Sequence, residues 1–164
     1  MAKKPTYKEL EQDIKALEKE KLNRMAAEKA LQQSEEKYRL LVKNLPSIVY
    51  KGYPDWSVEF FDSKIEQTTG YGADQFNSKK MKWKDVIIHE DLEAAKETFI
   101  MALKEDKSYV REYRIESKQG SIHWMQERGQ IVCNDKSEIE YVSGVFFDIT
   151  DNKEAQEKLR KSEE

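Results

Sequence analysis

Apolar residues recur in two different rhythms along this chain. From Thr6 to Leu45 they fall at alternating steps of three and four. Tyr7, Leu10, Ile14 and Leu17 make one run, and Leu31, Ser34, Tyr38, Leu41 and Leu45 make another. Such spacing forms the inner seam of a coiled coil. There is no Gly or Pro after Pro5, and Glu, Lys, Leu, Ala and Gln dominate, so residues 6–45 are predicted to be helical, with Thr6 capping and Glu9 three residues on. Between the runs the same phase lands on Lys21, Arg24 and Glu28, while Leu22, Met25 and Ala26 lie off it. The pattern leaves open a stutter or a helix break near residues 18–28. A continuous helix of about 40 residues would be a rod of roughly 60 Å. A rod of that length calls for a partner, most simply a second copy in a parallel homodimer; the alternative is a helix folded back on its own domain.

Pro46 ends the helix, because the residue before a proline avoids the helical region. The rhythm then changes to two. Ser47–Gly52 and Ser57–Phe61 read as short strands, and Tyr53-Pro54-Asp55-Trp56 between them carries turn residues. Short helices follow at Ser63–Thr69, closed by Gly70, and at Ala73–Phe76, then an apolar turn at Trp83–Ile88. Glu90–Lys104 is a longer helix with Leu92, Ala95, Phe99 and Leu103 on one face. Three strands complete the domain: Tyr109–Ser117, Ile122–Cys133 and Glu138–Thr150. In the last, Ile139, Tyr141, Val145 and Phe147 alternate with Val142, Gly144 and Phe146, which predicts a central strand covered on both faces. Asp148-Ile149-Thr150 breaks the alternation, and Asp151 with Glu154 has the spacing of a helix cap and its reciprocating glutamate. The prediction is an α+β domain with a five-stranded antiparallel sheet over residues 46–150, an N-terminal helix over 1–45 and a C-terminal helix over 151–164.

The charged fraction of 37% is concentrated at the two ends, leaving a globular middle. Net charge is -3, and acidic and basic residues interleave, so no one-signed patch suggests a nucleic-acid partner. A single cysteine, Cys133, excludes an internal disulfide, and with His89 and His123 as the two histidines the set argues against an all-protein zinc site. The reading is a reduced, cytoplasmic setting. No apolar run approaches the roughly 20 residues needed to span a bilayer, and Met1-Ala2-Lys3-Lys4-Pro5 lacks the apolar stretch of a secretory signal, so no membrane contact is expected of this chain.

Enzymatic chemistry finds no foothold: there is no phosphate-binding glycine loop or nucleophile elbow, and Gly70-Tyr71-Gly72 is too short to cradle a phosphate. Glu90 and Asp91 sit at a helix start, where the macrodipole accounts for them. Arg111, Arg114 and Arg128 could hold an anionic ligand, but charged residues on the outward face of a strand are usually solvated or paired across it. What the pattern does offer is a concave apolar site between the sheet and the small helices. Its candidate lining or filling residues are Val49, Tyr50, Phe60, Ile65, Phe76, Trp83, Phe99, Tyr113, Val145 and Phe147.

Several segments in order resemble a PAS domain of the PAC-motif type. Ser34-Glu35-Glu36-Lys37-Tyr38-Arg39 is similar to the lead-in helix, and Trp83 through Asp91 to the segment that usually reads W, a few residues, I-H-P-E-D. Arg111-Glu112-Tyr113-Arg114-Ile115, Gly120 and His123-Trp124 resemble the family's E-Y-R, D-G, W signature, and Gly144 to Thr150 its G-V-x-x-D-I-T ending. Two departures are Ile88-His89 where the family usually has His-Pro, and Lys118-Gln119-Gly120 in place of Lys-Asp-Gly. The resemblance implies a bacterial cytosolic sensor fold in which Asp148, Ile149 and Thr150 relay changes in the core to the following helix.

It also frames the cofactor question. The flavin photosensors of the family need an adduct-forming cysteine in the short-helix region, and residues 62–82 contain none; covalent c-type haem needs C-x-x-C-H, also missing. Cys133, at a strand end, reads as a core or rim residue. His89 stands near where haem-binding members place their ligand, but its place at a helix start reads as capping or surface, and Trp83 reads as core rather than flavin contact. Cofactor and ligand stay unknown. Ala155, Leu159, Ser162, Glu163 and Glu164 repeat Ala27, Leu31, Ser34, Glu35 and Glu36 at an offset of 128 residues, the period of one such domain plus its connecting helix. The expectation is either a piece of a multi-PAS sensor of the two-component kind, with a kinase or cyclase domain downstream, or a protein cut down from one. It would act as a dimeric sensory module or, alternatively, as a ligand-free dimerisation and relay spacer.

Overall fold

Thr6 opens the first helix as its sequence requires: its hydroxyl accepts from the N–H of Glu9 (3.3 Å), and the Glu9 carboxylate accepts from the N–H of Thr6 (2.6 Å). The computed structural model describes residues 4–163; residues 1–3 and Glu164, the outer ends of the first and last predicted segments, lie outside the described residues. Helix α1, Tyr7–Asn44, runs unbroken through residues 18–28, so the shift of the apolar seam there is taken up within a helix and not by a break. No residue of α1 is buried, and the seam residues Tyr7, Leu10, Ile14, Leu17, Leu31, Tyr38 and Leu41 are all exposed. Leu45 lies one residue past the helix end and not on the helical seam, because Pro46 keeps it from helical geometry. Residues up to Leu41 and residues from Val42 onward form separate compact units.

The second unit is built on a five-stranded antiparallel sheet in the order β2-β1-β5-β4-β3. Its strands are β1 (Ile48–Gly52), β2 (Val58–Phe60), β3 (Ser108–Glu116), β4 (Ile122–Cys133) and β5 (Ile139–Asp148). The strand predicted to be central is central: β5 pairs with β1 on one side and β4 on the other. Between β2 and β3 the chain forms α2 (Lys64–Thr69), α3 (Ala73–Asn77), a single 3-10 turn (Trp83–Asp85) and α4 (His89–Lys104). Gly70 closes α2 with φ +73°, the left-handed conformation that a side chain resists. A last helix, α5 (Thr150–Glu163), follows β5 directly.

One face of the sheet carries the core. Ile48 and Tyr50 of β1, Val142 and Phe146 of β5, Met125, Glu127 and Ile131 of β4, and Tyr109, Arg111, Tyr113 and Ile115 of β3 are all buried. Ile65, Phe76, Trp83 and Ala95 close over them from the helical segment. Aromatic stacking ties the layers together: the Tyr50 and Phe146 ring centroids are 4.1 Å apart and those of Phe146 and Trp83 4.5 Å apart. The other face of β5 departs from the reading of a strand covered on both sides. Tyr141, Val145 and Phe147 are half-buried, and long charged side chains lie over the two rings: the Lys51 ammonium is 4.3 Å from the Tyr141 ring centroid and the Arg128 guanidinium 5.7 Å from that of Phe147.

At the middle of β5 the sheet and this aromatic stack meet at Gly144. A Cβ there would stand 2.5 Å from the Arg128 carbonyl oxygen and 2.7 Å from the Tyr50 ring. Gly144→Ala is therefore expected to lower the unfolding free energy by about 1–3 kcal/mol in a urea titration, as overpacking against a fixed neighbour does. A change within about 0.5 kcal/mol, the size of an ordinary surface substitution, would show that Tyr50 is not held in place.

Candidate functional site

Glu127 points inward from β4 and is 1% exposed. An ionised carboxylate taken out of water costs several kcal/mol unless it is paired and fully hydrogen-bonded. Here five donors converge on it. Its Oε1 accepts from the hydroxyls of Tyr50 and Tyr109 (2.8 Å for Tyr109) and from Arg111 Nη2 (3.1 Å); its Oε2 accepts from Arg111 Nε (2.8 Å) and the Tyr113 hydroxyl (2.6 Å). A further ring holds these donors. Trp83 Nε1 donates to the Tyr113 oxygen (2.7 Å), and Arg111 Nη1 donates to the Ala95 carbonyl of α4 (2.6 Å). Each tyrosine has one hydroxyl proton and gives it to Glu127, so the 3.2 Å approach of the Tyr50 and Tyr109 oxygens has no proton of its own.

The electrostatics follow from this geometry. Burial alone would raise the Glu127 pKa, but the Arg111 charge and the hydrogen bonds from Arg111, Tyr113 and Tyr50 outweigh it and hold the carboxyl below its ordinary value. Burial first, and then the Glu127 charge, push the hydroxyls of Tyr50, Tyr109 and Tyr113 above their ordinary value, so they stay protonated donors. For Arg111, burial disfavours the charge, and the Glu127 carboxylate more than restores it.

A cavity of about 170 Å³ adjoins this cluster. Trp56, Val58, Trp83, Phe99, Ile100, Val142 and Phe146 make its apolar walls, Tyr50, Tyr109, Arg111 and Glu127 its polar end, and the half-buried Lys96 borders it from α4. Among the residues expected at a concave site, Tyr50, Trp83 and Phe99 border the cavity. Phe60, Ile65, Phe76 and Tyr113 are packed into the core beside it. Val49, Val145 and Phe147 belong to the opposite face of the sheet, because they share the odd phase of β1 and β5 while the cavity side is even.

The three arginines divide. Arg111 corrects the expectation of an outward residue: it shares the odd phase of Tyr109, Tyr113 and Ile115 and is buried with them. Arg114 reaches Asp91 at the start of α4 through Nε (2.9 Å) and Nη2 (2.6 Å), and its hydrogen bond pulls the Asp91 pKa down. Arg128 is exposed, with its Nε on the Gln126 side-chain oxygen (3.1 Å). Glu127 itself had a legible signal that the sequence reading passed over, a charge on the same phase as Met125 and Ile131. His89 is exposed at the first residue of α4 and does not border the cavity. Cys133 is half-buried against the core at the end of β4. Among the described residues there is no group of three or more His, Cys, Asp and Glu side chains able to hold a metal, and no helix is long and apolar enough to cross a membrane.

The junction between β5 and α5 is tied to the neighbouring strand. Asp148 Oδ1 accepts from the Thr150 N–H (3.0 Å) and hydroxyl (2.5 Å), and its Oδ2 is 3.0 Å from His123 Nδ1. Trp124 of β4 receives the Ile149 N–H on its carbonyl (2.8 Å) and donates its own N–H to Thr150 Oγ1 (3.0 Å). Lys153 in the first turn of α5 pairs with Glu112 of β3 (2.5 Å) and lies 5.0 Å over the Trp124 ring. The helix begins at Thr150, so Asp151 stands inside the first turn and not at the cap. Asp148 does the capping because its carboxylate, two residues back on the strand, already reaches the free Thr150 N–H.

The model of the PAS fold family matches residues 58–146, and the chain belongs to that family. Among its relatives, the methyl sulfide methyltransferase-associated sensor of the archaeon Methanosarcina acetivorans is 32% identical over 110 residues, which are 66% of this chain and 11% of that protein. A solved sensory box histidine kinase/response regulator from Burkholderia thailandensis superposes with a TM-score of 0.63 at 22% identity, over 77% of this chain and 95% of that one. The N-terminal domain of a diguanylate cyclase with PAS/PAC sensor from Marinobacter aquaeolei gives a TM-score of 0.52 at 21% identity, over 63% and 95%. The two solved structures share the fold, and the family match with the sensor relative supports a sensory, signal-transducing module of the PAS type.

The buried pair sets a double-mutant cycle. Glu127→Leu leaves Arg111 charged and unpaired and is expected to cost about 3–5 kcal/mol in urea unfolding at neutral pH, whereas Glu127→Leu with Arg111→Met is expected to cost less than Glu127→Leu alone. Because the folded pKa of Glu127 lies below its ordinary 4.5, its stabilisation is present above that pH and is lost as pH falls through the folded value; the double variant should lose less stability on acidification. Additive single costs would contradict the pairing.

Proposed function

We propose that this module senses a small molecule held in the cavity and passes its occupancy to α5 through Asp148, Ile149 and Thr150. The observation that carries the reading is positional. The strand that contributes Glu127 to the polar end of the cavity is the strand whose Trp124, three residues earlier, hydrogen-bonds both Ile149 and Thr150. A shift of β4 is thereby offered directly to the start of α5. Such a relay needs two arrangements separated by a few kcal/mol and a ligand that favours one of them.

The exposed seam of α1, from Tyr7 to Leu41, supports a homodimer in which two such helices pair. The chain spans 11% of the length of the sensor relative, and two solved structures of the same fold come from a histidine kinase/response regulator and from the N-terminal domain of a diguanylate cyclase, which supports a kinase or cyclase domain as the downstream output. A second reading, a ligand-free spacer that dimerises and transmits, has its own support. The hydrogen bonds of the Glu127 carboxylate are complete without a ligand, so its burial does not require one.

Native mass spectrometry of the protein as purified from cells, without refolding, separates the readings. A dimer carrying a constant extra mass is the expected result. A bare dimer would favour the spacer, and a bare monomer would contradict the role of the α1 seam.

A further inference from the structure

The cavity's size and the hydrogen-bond inventory of its polar end narrow the ligand class. An apolar protein cavity of about 150 Å³ accommodates benzene, so the volume of about 170 Å³ here suits one aromatic ring with a short substituent. Trp56, Trp83, Phe99 and Phe146 supply walls that favour such a ring.

The charges bordering the cavity are those of Lys96, Arg111 and Glu127, two cations and one anion. Glu127 already accepts five hydrogen bonds and has no room for a cationic group of a ligand. Arg111 is in the opposite condition. It has five N–H groups, of which Nε–H, one on Nη2 and one on Nη1 are used, leaving two without an acceptor among the described residues. Lys96 is also available: its acidic neighbour is the exposed Glu93, at 3.8 Å, a weak surface pair.

Resting on the reading of the cavity as a sensing site, we propose that its ligand is a monoanionic aryl carboxylate of about benzoate size. The ring occupies the aromatic walls, the carboxylate accepts from the unused Arg111 N–H groups, and its charge balances Lys96. A neutral alcohol of the same size brings no charge to meet Lys96, and an amine is repelled by it.

The test uses the full chain and three probes of one shape: benzoate, benzyl alcohol and benzylamine. The Trp83 indole N–H and the Val142 and Phe146 amides serve as NMR reporters of binding inside the cavity. Benzoate is expected to shift these signals and to bind at least tenfold tighter than benzyl alcohol, with benzylamine shifting none of them. Lys96→Met, which leaves the Glu127 cluster untouched, is expected to weaken benzoate several-fold and benzyl alcohol little. Benzyl alcohol binding as tightly as benzoate, or benzoate unaffected by Lys96→Met, would overturn the anionic class while leaving the cavity a sensing site. If no probe shifts the reporters, or benzoate shifts surface amides alone, the ligand class falls, and silence from all three also removes support for the sensing site itself.

Discussion

A carboxylate and a guanidinium buried side by side on the inner face of a sheet constrain everything around them. Arg111 supplies two of the donors that Glu127 needs, so the remaining lone pairs must be met by residues that are themselves part of the core. Tyr50, Tyr109 and Tyr113 do this from β1 and β3, Trp83 fixes Tyr113 from the helical segment, and the Ala95 carbonyl anchors Arg111 from α4. One ion pair thus stands in a hydrogen-bonded cluster drawn from three strands, the 3-10 turn and α4. Replacing such a pair with apolar residues of similar volume is often neutral for stability. Its contribution here is to fix one arrangement of side chains beside a space that those side chains leave open.

That arrangement gives the cavity two unlike ends. Phe146 and Trp83, stacked on each other, form the apolar wall together with Trp56, Val58, Phe99, Ile100 and Val142, and the hydrogen-bonded cluster forms the polar end. β4 is common to the cluster and to the start of α5, because Glu127 and Trp124 lie on the same strand three residues apart and on opposite faces. Trp124 then holds Ile149 and Thr150 by main-chain groups, while Lys153 ties the first turn of α5 to Glu112 of β3. The outer face of the sheet, with its half-buried Val145 and Phe147, carries no part of the cavity.

Much of this was legible in the sequence, and the misses have physical causes. The alternation of β5 and the breaks at Pro46 and Gly70 located the elements to within a residue or two, and the five-stranded antiparallel sheet is present as predicted. Strand phase should have placed Arg111 and Glu127 inside, since each alternates in step with buried apolar neighbours. The rule that strand charges face water hid both, and it fails where two opposite charges can bury each other. Val49, Val145 and Phe147 were assigned to the concave side because they are apolar; the pleat sends them to the other face, where they are half-buried and Arg128 lies over Phe147. The cap of α5 was read one turn-residue late because Asp151 and Glu154 have the right spacing, whereas Asp148, held at the end of a strand, was already within reach.

The most direct measurement is amide hydrogen exchange on Val142→Phe, a substitution that fills the cavity from β5 and stands in for an occupant. If the core and α5 are joined through β4, protection at Ile149 to Lys153 should change by threefold or more along with that at Tyr50 and Phe146, under conditions where both proteins are fully folded. Altered protection at Tyr50 and Phe146 with unchanged exchange from Ile149 to Lys153 would contradict the coupling, and the junction would then be a fixed anchor and not a relay.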